Sequence, residues 1–131
     1  MQLGPEMRPY IAHMLPRLIQ VMNHENVLNP VLENASIAIG RLALSCPEDI
    51  APELPTFAGP FLRALKDAKD NLEKDSAFRG FCTMIALSPN GILNHLTDFI
   101  VAIGNYNEPT PELRDMFRQV FHFSASCMLT I

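Results

Sequence analysis

The sequence is short of the features that most catalytic and nucleic-acid chemistries need. Its 131 residues carry ten Lys and Arg against fourteen Asp and Glu, a formal charge of −4. That excludes a broad basic surface, and no direct nucleic-acid contact is expected. A mildly acidic surface suits a basic partner, or simply keeps a domain soluble. Cys46, Cys82 and Cys127 are odd in number and widely spaced, with no C-x-x-C. Neither a disulfide framework nor a zinc knuckle is expected, and buried thiols in a reducing compartment are. Long apolar runs are missing as well: Phe99-Ile100-Val101-Ala102-Ile103 falls far short of the roughly 20 residues that cross a bilayer, so no membrane contact is expected. No basic stretch leads from Met1 into an apolar segment, and no signal peptide is expected.

Catalytic signatures are absent too. The chain has no G-x-S-x-G, phosphate-cradling loop, H-E-x-x-H or G-x-G-x-x-G, the patterns that hold a nucleophile, phosphate, zinc or dinucleotide. His13, His24, His95 and His122 are scattered and none stands at ligand spacing from a cysteine, so each reads as a surface or helix-end residue. No catalytic residue, metal ligand or cofactor is expected. An enzymatic reading would need a cleft with converging titratable groups.

What is present is helical periodicity punctuated by proline. Eleven prolines would ordinarily argue against helices, but Pro9, Pro30, Pro52, Pro89 and Pro111 stand where amphipathic patterns begin. There the missing N–H costs nothing. Asn29, Ser88 and Thr110 precede three of them as candidate N-caps. From Pro9 the apolar residues Ile11, Met14, Leu15, Leu18, Ile19 and Met22 make a full helical stripe. Equivalent stripes follow: Leu32, Ala35, Ala38, Ile39, Leu42; Leu54, Phe57, Phe61, Leu62, Leu65, with a bend or break expected near Gly59-Pro60; Ala77, Phe78, Phe81, Cys82, Ile85; Ile92, Leu93, Leu96, Phe99, Ile100, Ile103; and Leu113, Met116, Phe117, Val120, Phe121. No stretch alternates with period two long enough to make a strand. The class is all-α, with six antiparallel helices of about 12–17 residues.

Their spacing favours a stack over a bundle. Pro30 and Pro111 open equivalent helices, with another beginning near Asn71 between them, so a helix pair recurs about every 40 residues, the period of HEAT and armadillo arrays. The chain therefore reads as one α-solenoid of about three HEAT repeats, at about 9–45, 50–88 and 89–124, with a divergent tail at 125–131. Pro9-x-Ile11-x-x-x-Leu15-Pro16-x-Leu18 resembles an outer HEAT helix. Ala35-x-x-Ala38-Ile39-Gly40-Arg41-Leu42 resembles an inner one, where small residues let neighbouring helices approach. The Asp/Arg ladder of many HEAT arrays is expected to be lost, because Leu32 stands where the arginine would be.

Two features invite a functional reading. Asp67, Asp70, Glu73 and Asp75, interleaved with Lys66, Lys69 and Lys74, suit a solvated linker and helix start, or a contact surface for a basic peptide. Ile37 lies about 200° from Ala35 and about 100° from Ala38 at 100° per residue, away from its helix's apolar stripe. Asn34 and Arg41 share its face. On an inner helix that face looks into the groove, where an isoleucine beside an asparagine suits an extended peptide. Otherwise Ile37 packs against the next repeat.

Leu32-Glu33-Asn34-Ala35-x-Ile37-x-Ile39-Gly40-Arg41-Leu42, Glu73-Lys74-Asp75-Ser76-Ala77-Phe78-Arg79-Gly80 and Leu113-Arg114-Asp115-Met116-Phe117 resemble, in order, the C-terminal repeats of the transportin family of β-karyopherin import receptors. The likeness runs from about Met1 to Phe121, and the octapeptide Glu73–Gly80 is its most specific part. It implies a HEAT superhelix working between cytoplasm and nucleus, whose C-terminal arch takes up extended, basic proline–tyrosine nuclear localisation signals on its inner face. It implies a Ran-GTP site only on N-terminal repeats outside this chain. It places Asn34 and Ile37 where the signal's N-terminal part is received, with Arg41, Asp75 and Arg79 as further cargo-binding positions. Two departures stand out. The family's tryptophan-bearing cargo helix precedes the segment resembling Met1–Met7, and this chain has no Trp. The tail from Phe123 to Ile131 does not resemble the family. The chain is therefore expected to be a piece of a longer array with two adhesive, uncapped end faces. The competing expectation is a structural scaffold with no peptide site, in which Ile37 is buried between repeats.

Overall fold

A computed structural model describes Glu6 and residues 8–129, with side chains as far as His122. The tail 125–131 is outside the described side chains. Six main helices run in order: α1 Arg8–Met22, α2 Asn29–Ser45, α3 Leu54–Asp67, α4 Leu72–Leu87, α5 Leu96–Gly104 and α6 Pro111–Leu129. Short turns at Pro47–Ile50, Ala51–Glu53 and Pro89–His95 lead into α3 and α5. No strand occurs among the described residues. The all-α reading holds.

The helices form two layers. α2 packs against α4 and α4 against α6 in one; α1 packs against α3 and α3 against α5 in the other. Each helix buries one stripe between the layers, which no single pair could do alone. Phenylalanines thread this core: Phe61 stacks on Phe81 at 4.8 Å, Phe81 meets Phe99 at 5.5 Å, and Phe78 meets Phe117 edge-on at 5.5 Å. All five are buried. Ring edges against ring faces add to the burial of area.

The closest approach is between α2 and α4, where main chain meets main chain. A methyl added at Gly40 would lie 2.5 Å from Ala77 Cα, and one added at Gly80 would overlap the Gly40 carbonyl. The small-residue pattern read on α2 therefore has its counterpart in Gly80. That glycine ends the octapeptide Glu73–Gly80, so part of the octapeptide's specificity is steric.

Prolines shape the helices differently from expectation in three places. α2 begins one residue early, leaving Leu28 rather than Asn29 at the cap position and no side-chain cap bond. The Ser88 cap position also lacks one. α3 runs through Gly59-Pro60 without interruption, and the irregular turn comes upstream at Ala51–Glu53. Pro60 has no N–H for the carbonyl four residues back, and Asn23 at the end of α1 compensates by donating from Nδ2 to Thr56 O at 2.9 Å. Pro89 opens a 3-10 turn instead of a full α-helix, and α5 starts only at Leu96.

Candidate functional site

The residues singled out above lie on α2 and α4 of the α2–α4–α6 layer. On α2, Asn34 and Arg41 are exposed. Arg41 Nη2 lies 3.6 Å from Glu73 Oε1 on α4, both side chains more than half exposed. Such a pair contributes little to stability, so each partner remains available to a ligand.

Ile37 departs from the expectation of an exposed contact, being 8% exposed and part of the core. It sits three residues before Gly40, which abuts Ala77, and four before Arg41, which reaches Glu73. Gly40 and Arg41, on either side of Ile37 around the helix, both touch α4, so this flank of α2 faces the α2–α4 seam. This is the packing alternative.

Asp75 and Arg79 are likewise drawn into structure. Asp75 is 4% exposed. Its Oδ1 accepts from Arg79 Nε at 2.6 Å and from Thr110 Oγ1 at 3.3 Å; its Oδ2 accepts from Thr110 N at 3.1 Å and Tyr106 OH at 3.3 Å. Arg79, half-buried, donates from Nη2 to Thr110 Oγ1 at 3.0 Å and to the exposed Glu112 at 3.5 Å. Thr110 caps α6, accepting from Leu113 N at 3.3 Å. Leu32 is buried and no arginine stands there. Asp75 and Arg79 pair within α4, and it is their bonds to Thr110 and Glu112 that tie α4 to the start of α6.

The interleaved charges are not simply solvated either. Lys74 is 1% exposed; its Nζ donates to Ala68 O at 2.9 Å and to Asp70 Oδ1 at 3.0 Å, and lies 4.8 Å from the centre of the Tyr106 ring. Asp70 Oδ2 accepts from Asn107 N at 2.9 Å, and Asn71 caps α4 by accepting from Lys74 N at 2.9 Å. A buried ammonium is tolerated because carbonyl, carboxylate and ring replace its water. The Lys74 bond, followed by the Asn107 N–H, holds the Asp70 carboxyl below the usual carboxylate value. For Asp75, burial opposes ionisation, but the bonds from Arg79 and Thr110 outweigh it and the carboxyl is held low. Burial and the Asp75 charge push the Tyr106 phenol up.

Thr110 was legible as a cap before Pro111. Its link to Asp75, and the roles of Lys74 and Tyr106, carried no sequence signal, because the partners come from separate helix pairs. Burial pushes the Cys82 thiol up to about 12, which leaves it inert. Among the described residues, no group of three or more His, Cys, Asp and Glu is placed to hold a metal ion, and no helix is long and apolar enough to cross a membrane. The arrangement suits binding by shape and hydrogen bonds.

No family model matches the chain. Individual relatives do. Over 121 residues, 92% of this chain, it is 43% identical to Transportin-1 of Mus musculus and of Homo sapiens. It belongs to the transportin family. Importin subunit beta-2 of Schizosaccharomyces pombe is similar to it as well, 40% identical over 124 residues and 95% of the chain. The chain spans 14% of the length of each of these relatives, so it corresponds to one stretch of a transportin.

Proposed function

We propose that the chain is a segment of a nuclear import receptor, working between cytoplasm and nucleus, that presents the α2–α4–α6 face to extended basic signals of the proline–tyrosine class. The observation that carries this is the exposed row of Asn34, Arg41 and Glu73 on neighbouring helices. It offers an amide for a peptide backbone and a carboxylate for a basic side chain. Arg79 extends the row toward α6. Ile37 and Asp75 act from beneath it: Ile37 fixes the α2–α4 seam, and Asp75 holds Arg79. Ran-GTP would be bound outside this chain. The cargo would order on binding, which lowers affinity for a short stretch of groove.

One observation favours a second reading, in which the segment serves only to hold the array together: Ile37 is buried in a seam and offers no apolar contact to a peptide. Fluorescence anisotropy of a labelled proline–tyrosine signal peptide separates the two. The chain is titrated in beside the double variant Asn34→Ala, Arg41→Ala and the variant Glu73→Gln, at two salt concentrations, after circular dichroism shows all are helical. Saturable, salt-sensitive binding that weakens in the variants supports the cargo face. Equal binding by all proteins removes these residues from the site, and no binding by a folded chain favours the structural reading.

A further inference from the structure

Thr110 occupies a position that its capping role does not exhaust. It precedes Pro111 in the connection 105–110, which lies outside any helix and carries the exposed Asn107 and Glu108, with the exposed Pro111 and Glu112 just beyond it. Protein kinases that select a hydroxyl before proline bind their substrates as extended chain. The other such dipeptide in the sequence, Ser88-Pro89, is wedged between the end of α4 and a 3-10 turn. The Thr110 hydroxyl is also the hub of the α4–α6 linkage: it donates to Asp75 Oδ1 and accepts from Arg79 Nη2 and Leu113 N.

We propose that Thr110 is a phosphorylation site for a proline-directed protein kinase, and that its modification loosens the joint between α4 and α6. The kinase moves the γ-phosphoryl group of ATP. The bond from Thr110 Oγ1 to phosphorus forms as the bond from that phosphorus to the departing ADP oxygen breaks, and the hydroxyl proton passes to the kinase's base. The product carries a charge of about −1.5 to −2 at neutral pH. It can no longer donate to Asp75, and it sets that charge beside a buried carboxylate and near Glu112. Arg79 and the N-terminus of α6 attract the phosphate. Arg79 already spans the two groups, Nε on Asp75 and Nη2 on the Thr110 oxygen, so it must now divide its charge between the phosphate and the buried carboxylate. With the hydroxyl's bond to Asp75 gone and two anions in contact, the α4–α6 linkage is weakened. The inference does not depend on whether cargo binds to this segment.

The test incubates the folded chain, Thr110→Ala and Ser88→Ala with a purified proline-directed kinase and magnesium ATP. Modified residues are located by mass spectrometry, and thermal unfolding and amide exchange are then measured. The expected result is one phosphate on Thr110, absent in Thr110→Ala and retained in Ser88→Ala. The phosphorylated chain should melt several degrees lower and exchange faster at Asp75–Arg79 and at Tyr106. Thr110→Val, which removes the hydroxyl without adding charge, should show a smaller drop. Phosphate on Ser88 alone, or none on the folded chain, would overturn the site. Phosphate on Thr110 with unchanged or raised melting would overturn the loosening and show that Arg79 and the helix end capture the group.

Discussion

Replacing Gly80 by alanine tests the main-chain contact between α2 and α4. The added methyl would overlap the Gly40 carbonyl and also lie 3.0 Å from Gly40 Cα. No rotamer change relieves a clash with backbone, so the two helices must separate and open the seam that holds Ile37. Overpacking of this kind costs about 3 kcal/mol. Alanine in a helix interior returns about 1 kcal/mol over glycine, leaving a net loss of about 2 kcal/mol. For a domain of this size that lowers the melting temperature by about 6–10 °C. Gly104→Ala is the control: a methyl there meets nothing within 4 Å, and its φ is not positive. It should leave stability unchanged or raise it by about 0.5 kcal/mol. Urea and thermal unfolding followed by circular dichroism measure both. A Gly80→Ala chain as stable as Gly104→Ala would refute the steric account of this crossing.

Three further outcomes are expected. Asn23→Ala should cost about 1 kcal/mol by leaving Thr56 O without its donor, and that cost should disappear in a Pro60→Ala background, where residue 60 regains an N–H for the same carbonyl; unfolding of the four proteins in urea closes the cycle. Asp70 and Asp75 are both held below the ordinary carboxylate value in the folded chain, so their stabilisation is complete above the unfolded pKa of about 4 and is lost as pH falls through the folded values. Urea midpoints should therefore drop between pH 6 and pH 3, and less steeply in Asp75→Asn, which should also be less stable at pH 6. Ile37→Val should cost about 1 kcal/mol as a shortened core residue, whereas Ile37→Asp should lose cooperative thermal unfolding, since it buries a carboxylate; an Ile37→Asp chain that melts like the parent would return Ile37 to the surface.

Helix starts were legible at Pro9, Pro30 and Pro111, where proline and the 3.6-residue stripe agree, whereas Pro52 and Pro89 stand in 3-10 turns ahead of α3 and α5. The close α2–α4 approach was legible from Ala35, Ala38 and Gly40. Ile37 was misplaced for a definite reason. A helical wheel gives an angle, but it does not say which neighbour stands at that angle, and the flank bearing Ile37 meets α4 before it meets solvent. Lys74 and Asp75 looked like members of a solvated charge run because their partners, Tyr106 and Thr110, come from the following helix pair. The candidate site was thus half legible. Asn34 and Arg41 are on the surface as the spacing implied, whereas Ile37 and Asp75 support it from within.

The two joints in the α2–α4–α6 layer differ in kind. α2 meets α4 chiefly through glycine backbone and an isoleucine, with the exposed Arg41–Glu73 pair at its edge, a contact that depends little on salt and weakens in the cold. α4 meets α6 through phenylalanines on one side and, on the other, a carboxylate, a guanidinium and a threonine, a polar clasp sensitive to pH. Acid should therefore loosen the stack from its α6 end while α1 to α4 stay paired, and cooling should bear more heavily on the α2–α4 contact. A solenoid assembled this way has a preferred direction of fraying, set by solvent conditions and not by the strength of any one helix.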